Sequence, residues 1–222
     1  MGAILQLRAA RSRDTIARVT LPSRHDMNQV VLLARHAEDR ALDALDERGG
    51  LAAVTPPEAR RADGWERAAL LAWMSSGEWS PAWEAEALVP DGWSPSPWAT
   101  PERAAYATGG HLVKVARHAY GREANLCEAR LWARAAPEVA AQLAPVLAAS
   151  ADGSWLVMPR VGASAPAPDP TPPALRAVFG DAVARPGRWG LVGGRVAVVE
   201  YGDVPRDDAP PGRSSLLRFL SG

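Results

Sequence analysis

Cysteine occurs once in 222 residues, at Cys127, which excludes an internal disulfide and a cysteine-built metal cluster. No apolar run reaches the roughly 18 residues that a membrane-crossing helix needs, so no membrane contact is expected. Neither sign of charge is in excess: 25 basic residues balance 25 acidic ones. That balance excludes a polybasic nucleic-acid binder and an acidic tail protein. At the N-terminus a short apolar patch precedes Arg8, Arg11 and Arg13, the reverse of a secretory signal, and a reducing, cytoplasmic setting is the expectation. Phenylalanine is scarce, with two against nine tryptophans. Lysine is scarcer still. Lys114 stands alone among 24 arginines. Chance is the plain explanation. The sharper one is a role that a guanidinium fills poorly, such as a compact point charge on a phosphate.

Residues 15–21 alternate and are β-branched, which predicts a strand. From Asp26, apolar residues recur at three and four (Met27, Val30, Val31, Ala34, Ala37, Ala41, Leu45), predicting a helix stopped at Gly49-Gly50. Asp63 with Glu66 reads as a capping box for a second helix through Trp73. His25 and His36 have no evident partners and read as ordinary core or surface residues. Between 77 and 101, Trp79, Trp83, Trp93 and Trp98 sit among five prolines. Proline blocks regular structure there, and the tryptophans are expected to pack the segment onto a neighbour.

Further on the pattern sharpens. Residues 103–108 and 111–117 flank Gly109-Gly110 as a hairpin. A helix follows from Gly121 to about Ala136, then a short helix from Pro137 to Ala144. Strands are expected at 145–150 and 154–160 around Asp152-Gly153. Residues 163–173 read as a linker, 174–184 as a helix, and 188–192 with 195–200 as another hairpin about Gly193-Gly194. A last helix is expected at 214–220. The implied organisation is a strand-plus-helices region over 1–76 of unassigned role, a Trp/Pro-rich linker over 77–102, a module over 103–203 and a tail over 204–222.

On a helical wheel Glu128 falls inside the arc formed by Ala124, Leu131, Trp132 and Ala135. A carboxylate on a buried face needs a cation. Lys114, fourteen residues upstream between Val113 and Val115, is the expected partner; a half-wet rim or an arginine are the alternatives.

These features resemble the N-lobe of a protein-kinase-like protein of small bacterial or phage type. LVKVA carries Lys114 like a third-strand lysine, and GREANLCEARLW carries Glu128 like the helix-C glutamate. Residues 143–161 resemble the fourth and fifth strands and the hinge, and 185–203 resemble a segment in which Asn-Trp-Gly precedes a hairpin ending in Asp-Tyr-Gly. The resemblance implies an α+β fold: an antiparallel sheet with one packed helix, a much reduced C-lobe and a small α/β region in front. It implies ATP and Mg²⁺ as cofactors, with Lys114 on the phosphates, Glu128 orienting it, Met158 and Arg160 in an adenine-contacting hinge that runs from Met158 to Gly162, and Glu200 on the metal. Asp181 is the candidate base, and Arg188 stands where the family has its metal-binding Asn.

The chain departs from that pattern. No Gly-x-Gly-x-x-Gly precedes Lys114, no His-Arg-Asp loop is present, Glu200-Tyr201-Gly202 replaces Asp-Tyr-Gly, and only 62 residues follow position 160. Phosphate cover, metal pair and base are all altered. The leading expectation is a catalytically degenerate kinase-like module that binds nucleotide and acts on a protein partner through its N-terminal region or Trp-rich loop. An active, divergent phosphotransferase is the alternative, and a scaffold using the fold for assembly is the third reading. Tyr201 and Cys127 read as packing residues. His111 is expected on the sheet face opposite Lys114, and His118 near the pocket only if its strand extends that far.

Overall fold

A computed structural model of the chain describes residues 4–5, 21–76 and 89–202. The elements within them are β1 (Ile4–Leu5), α1 (Arg24–Glu47), α2 (Leu51–Val54), α3 (Trp65–Ser76), β2 (Trp93–Pro95), β3 (Arg103–Thr108), β4 (His111–Ala116), α4 (Ala119–Arg134), α5 (Pro137–Ala140), β5 (Ala148–Ser150), β6 (Trp155–Pro159), β7 (Val161–Ser164), α6 (Pro173–Phe179), β8 (Trp189–Val192) and β9 (Arg195–Val198). A 3₁₀ turn, Gly180–Ala184, extends α6. The fold is mixed α+β. One antiparallel sheet runs β1-β5-β6-β4-β3-β2, and a second runs β7-β8-β9.

The central strand β4 is buried along its whole length, because helices cover both of its faces. Alternation sends Val113 and Val115 to one side, where Met27, Val30 and Ala34 of α1 pack over them with Val157. Leu112 goes to the other side, into the main core with Leu156, Met158 and Ala129 of α4. Lys114 lies on this second face, level with Ala105 of β3 and Leu156 of β6. The lone lysine of a mostly apolar strand is thus aimed at a helix rather than at water.

Local chemistry sets the helix positions. Ser23 caps α1 by accepting the Asp26 N–H at 3.1 Å, so the helix begins before Asp26, and Gly49 and Gly50 end it with φ of +88° and +81°. Gly121 lies within the first turn of α4, because a Cβ there would run into the Glu102 carbonyl. That contact holds the helix start against the segment leading into β3.

Several expectations shift. Residues 93–95, expected inside a linker, form β2, since their backbone pairs with the outer edge of β3. Residues 163–164 belong to β7 for the same reason, pairing with β8. The strand expected over 145–150 is confined to 148–150. The N-terminal helix α1 supplies the cover over one face of the sheet. Residues 15–20, Trp79, Trp83 and the helix expected at 214–220 lie outside the described residues. No helix among the described residues is long and apolar enough to cross a membrane.

Candidate functional site

The site is a buried ion cluster where β4, α4 and the end of β9 meet. Lys114 and Glu128 are both fully buried, and Nζ lies 3.1 and 3.0 Å from the two Glu128 carboxylate oxygens. Nζ also donates to the Val199 carbonyl at 2.7 Å. Glu128 and the Val199 carbonyl are thus the hydrogen-bond acceptors of this ammonium. Glu200 Oε1 stands 2.8 Å from Nζ as a further ion contact, outside hydrogen-bond alignment.

Arg103, at the start of β3, is the second cation. It is 3% exposed. Its Nη2 donates to Glu128 Oε1 at 3.0 Å and also meets Glu200 Oε2, while Nη1 reaches Asn125 Oδ1 at 3.3 Å. The Tyr201 backbone N–H adds a donor to Glu128 Oε1 at 3.1 Å. Both expected partners of Glu128, the lysine and an arginine, are therefore present. Two cations face two carboxylates, so the cluster is neutral. Burial alone would raise the Glu128 carboxyl, but Arg103 and Lys114 overcome it and hold the group below the usual carboxylate range. Burial opposes charge on Arg103 as well, and Glu128 and Glu200 keep it protonated, above its ordinary value.

Beside the cluster opens a cleft of about 250 Å³, whose wall includes Arg67, Thr100, Arg103, Arg185, Arg188 and Glu200. Arg188 is 7% exposed and donates Nη1 to the Glu200 carbonyl at 3.0 Å. Lys114 is not part of that wall.

The other expected residues lie elsewhere. The Asp181 side chain is fully exposed on the 3₁₀ turn, with Arg176 at 3.9 Å, and does not line the cleft. Met158 is buried in β6 opposite Leu112. Arg160 donates its backbone N–H to Gly110 at 2.7 Å and its side chain to Gly109 at 3.4 Å, tying it to the β3–β4 turn. The Gly162 carbonyl, at the end of the expected hinge, accepts the Trp98 indole N–H at 3.3 Å. The Trp98 ring packs on Gly190 so closely that a Cβ there would meet it at 2.5 Å. His118 occupies the N-cap position of α4, beyond the end of β4, without a side-chain capping bond, and burial pushes it down to about 4 against the pull of Glu102. Tyr201 packs in the core, and its hydroxyl donates to Ala144 at 2.7 Å.

Sequence reasoning missed Arg103 and Asn125 as members of the site, whereas Trp98, expected to pack its segment onto a neighbour, does so in the main core. Arg103 carried a usable signal, because a buried carboxylate in an arginine-rich chain invites a second cation. Asn125, one turn before Glu128, carried none that singled it out, and the proline-rich stretch around Trp98 named no partner for its ring.

Comparison with family models, with curated proteins and with solved structures finds no match to this chain. Fold and site geometry are thus what functional inference rests on.

Proposed function

We propose that residues 103–203 are a kinase-like module that binds a phosphate-bearing ligand without transferring phosphate. One observation carries the reading. Lys114 is fully buried on Glu128 and Val199 and does not line the cleft, and Glu200, the residue expected on a metal, is turned onto Lys114 and Arg103 instead.

Other positions support it. Mg²⁺ does not fit this donor set: both Glu200 oxygens face cations, Arg188 lies alongside, and no group of three metal-ligating side chains occurs among the described residues. Asp181, as a base, would have to act from a fully exposed position off the cleft wall. Adenine recognition by the hinge backbone would compete with Trp98 for Gly162. Of ATP, the polyphosphate is the part that the arginines beside Glu200 favour. A protein partner engaging the N-terminal region or the Trp-rich segment belongs to the same proposal.

The test is ADP release with ATP and Mg²⁺. Wild-type protein should release ADP no faster than Lys114→Met or Asp181→Asn protein. Metal-dependent release that both substitutions abolish would overturn the reading in favour of an active phosphotransferase.

A further inference from the structure

We propose that the groove between α1 and the β5–β6 hairpin is a binding site for a linear apolar chain ending in a carboxylate, of the medium-chain fatty-acid class. The groove holds about 510 Å³, within the roughly 300–1,000 Å³ of small-molecule sites. It shares no wall residue with the cleft beside Glu200, so it stands independently of the preceding proposal. One wall is a stripe of α1, where Arg24, Met27, Asn28, Val31, Leu32 and Arg35 recur at helical spacing. Eleven steps at 1.5 Å each make that stripe about 16 Å long. The facing wall comes from the sheet, where Ala148, Ser150, Trp155 and Val157 share one face by alternation. The result is an elongated trough with an apolar middle. Leu32 is 56% exposed, the more exposed of the two large apolar side chains left open to solvent among the described residues.

The two ends of the trough differ, and that difference selects the ligand. At one end Arg35 is already answered: its Nη2 donates to Asp152 Oδ2 at 3.0 Å, and the same oxygen accepts the Ser154 hydroxyl at 2.6 Å. That ion pair ties the helix to the hairpin turn and carries no net charge. At the other end Arg24 is exposed and makes no ion pair or side-chain hydrogen bond among the described residues. Asn28, one turn on, is exposed and equally unengaged among them. Asp26, the acid of that first turn, does not line the groove. One uncompensated guanidinium and one amide thus stand at the end of an apolar trough. The guanidinium fork matches a carboxylate, and the apolar middle gains from each methylene drawn out of water. A cationic head would oppose Arg24, and a wholly polar anion would leave Val31, Leu32 and Trp155 wet.

The experiment is calorimetric titration of the full chain with hexanoate, decanoate and decyltrimethylammonium, all below their micelle concentrations. Decanoate should bind once per chain. Hexanoate should bind at least tenfold more weakly, because it leaves much of the trough wet. Decyltrimethylammonium should also bind at least tenfold more weakly, because its head opposes Arg24. Arg24→Gln should weaken decanoate at least fivefold without weakening decyltrimethylammonium. Leu32→Asp should weaken decanoate by a similar factor. Both side chains are exposed, so each variant should keep the wild-type urea midpoint. Arg134→Ala, an exposed arginine off the groove wall, should change decanoate binding less than twofold. No binding at millimolar decanoate, several molecules per chain, equally tight decyltrimethylammonium, or indifference to both Arg24→Gln and Leu32→Asp would each overturn the proposal.

Discussion

A buried ammonium is tolerated when each of its N–H groups is answered and its charge is matched. The charge of Lys114 is matched by Glu128 and the nearby Glu200, and its N–H groups are met by Glu128 and the Val199 carbonyl. Glu128 is the hinge of this arrangement, because Lys114, Arg103 and the Tyr201 N–H all converge on it. Glu128→Ala would leave two buried cations competing for Glu200. Urea unfolding should show a loss of about 3–5 kcal/mol, the range for breaking a buried ion pair from one side. Glu128→Gln keeps the volume and should still lose most of that stability, since charge rather than packing is removed. A loss under about half a kcal/mol in both variants would mean a solvated carboxylate, contrary to this structure.

At the scale of elements, α4 is fixed at its start by Gly121 against the Glu102 backbone, and His118 is buried at the position just before its first turn. Burial holds His118 near 4 in the folded protein, whereas an unfolded histidine titrates near 6.5. As pH falls from about 6.5 toward 4, the unfolded chain takes up a proton that the folded chain refuses, so stability rises with pH across that window. The expected loss at pH 5 relative to pH 7.5 is about 2 kcal/mol from this group. His111, lowered by burial, adds to the same slope, and the depressed Glu128 and Asp152 carboxyls contribute losses only at lower pH. Denaturant midpoints measured from pH 7.5 to 5 should fall steeply for wild type and less steeply for His118→Gln. Equal slopes would show that His118 is not the sensing group. The hairpin of β3 and β4 was legible from Gly109-Gly110 between alternating runs, and α4 from its apolar arc. β2 was not, because a proline-rich stretch gives no alternation, and its pairing comes from the free edge of β3 rather than from its own side chains.

For the whole molecule, the sheet explains both what the sequence disclosed and what it hid. Lys114 among valines announced a charge that needed a buried partner, and Glu128 inside an apolar arc announced that partner. Amphipathy of α1 was equally plain, yet amphipathy names no surface, so its packing over Val113, Val115 and Val157 emerged only from the tertiary structure. Arg103 and Trp98 were hidden for a related reason: their roles depend on what β4, α4 and β8 bring alongside them. The functional account turns on one group being sealed inside the protein. Because the chain has a single lysine, acylation by an amine-reactive probe, followed by peptide mass spectrometry, reports on that group without ambiguity. Lys114 should resist modification in the native protein and react readily once the chain is unfolded in urea. Rapid native-state acylation at Lys114, slowed by added ATP, would place the ammonium in an open nucleotide site and contradict the account.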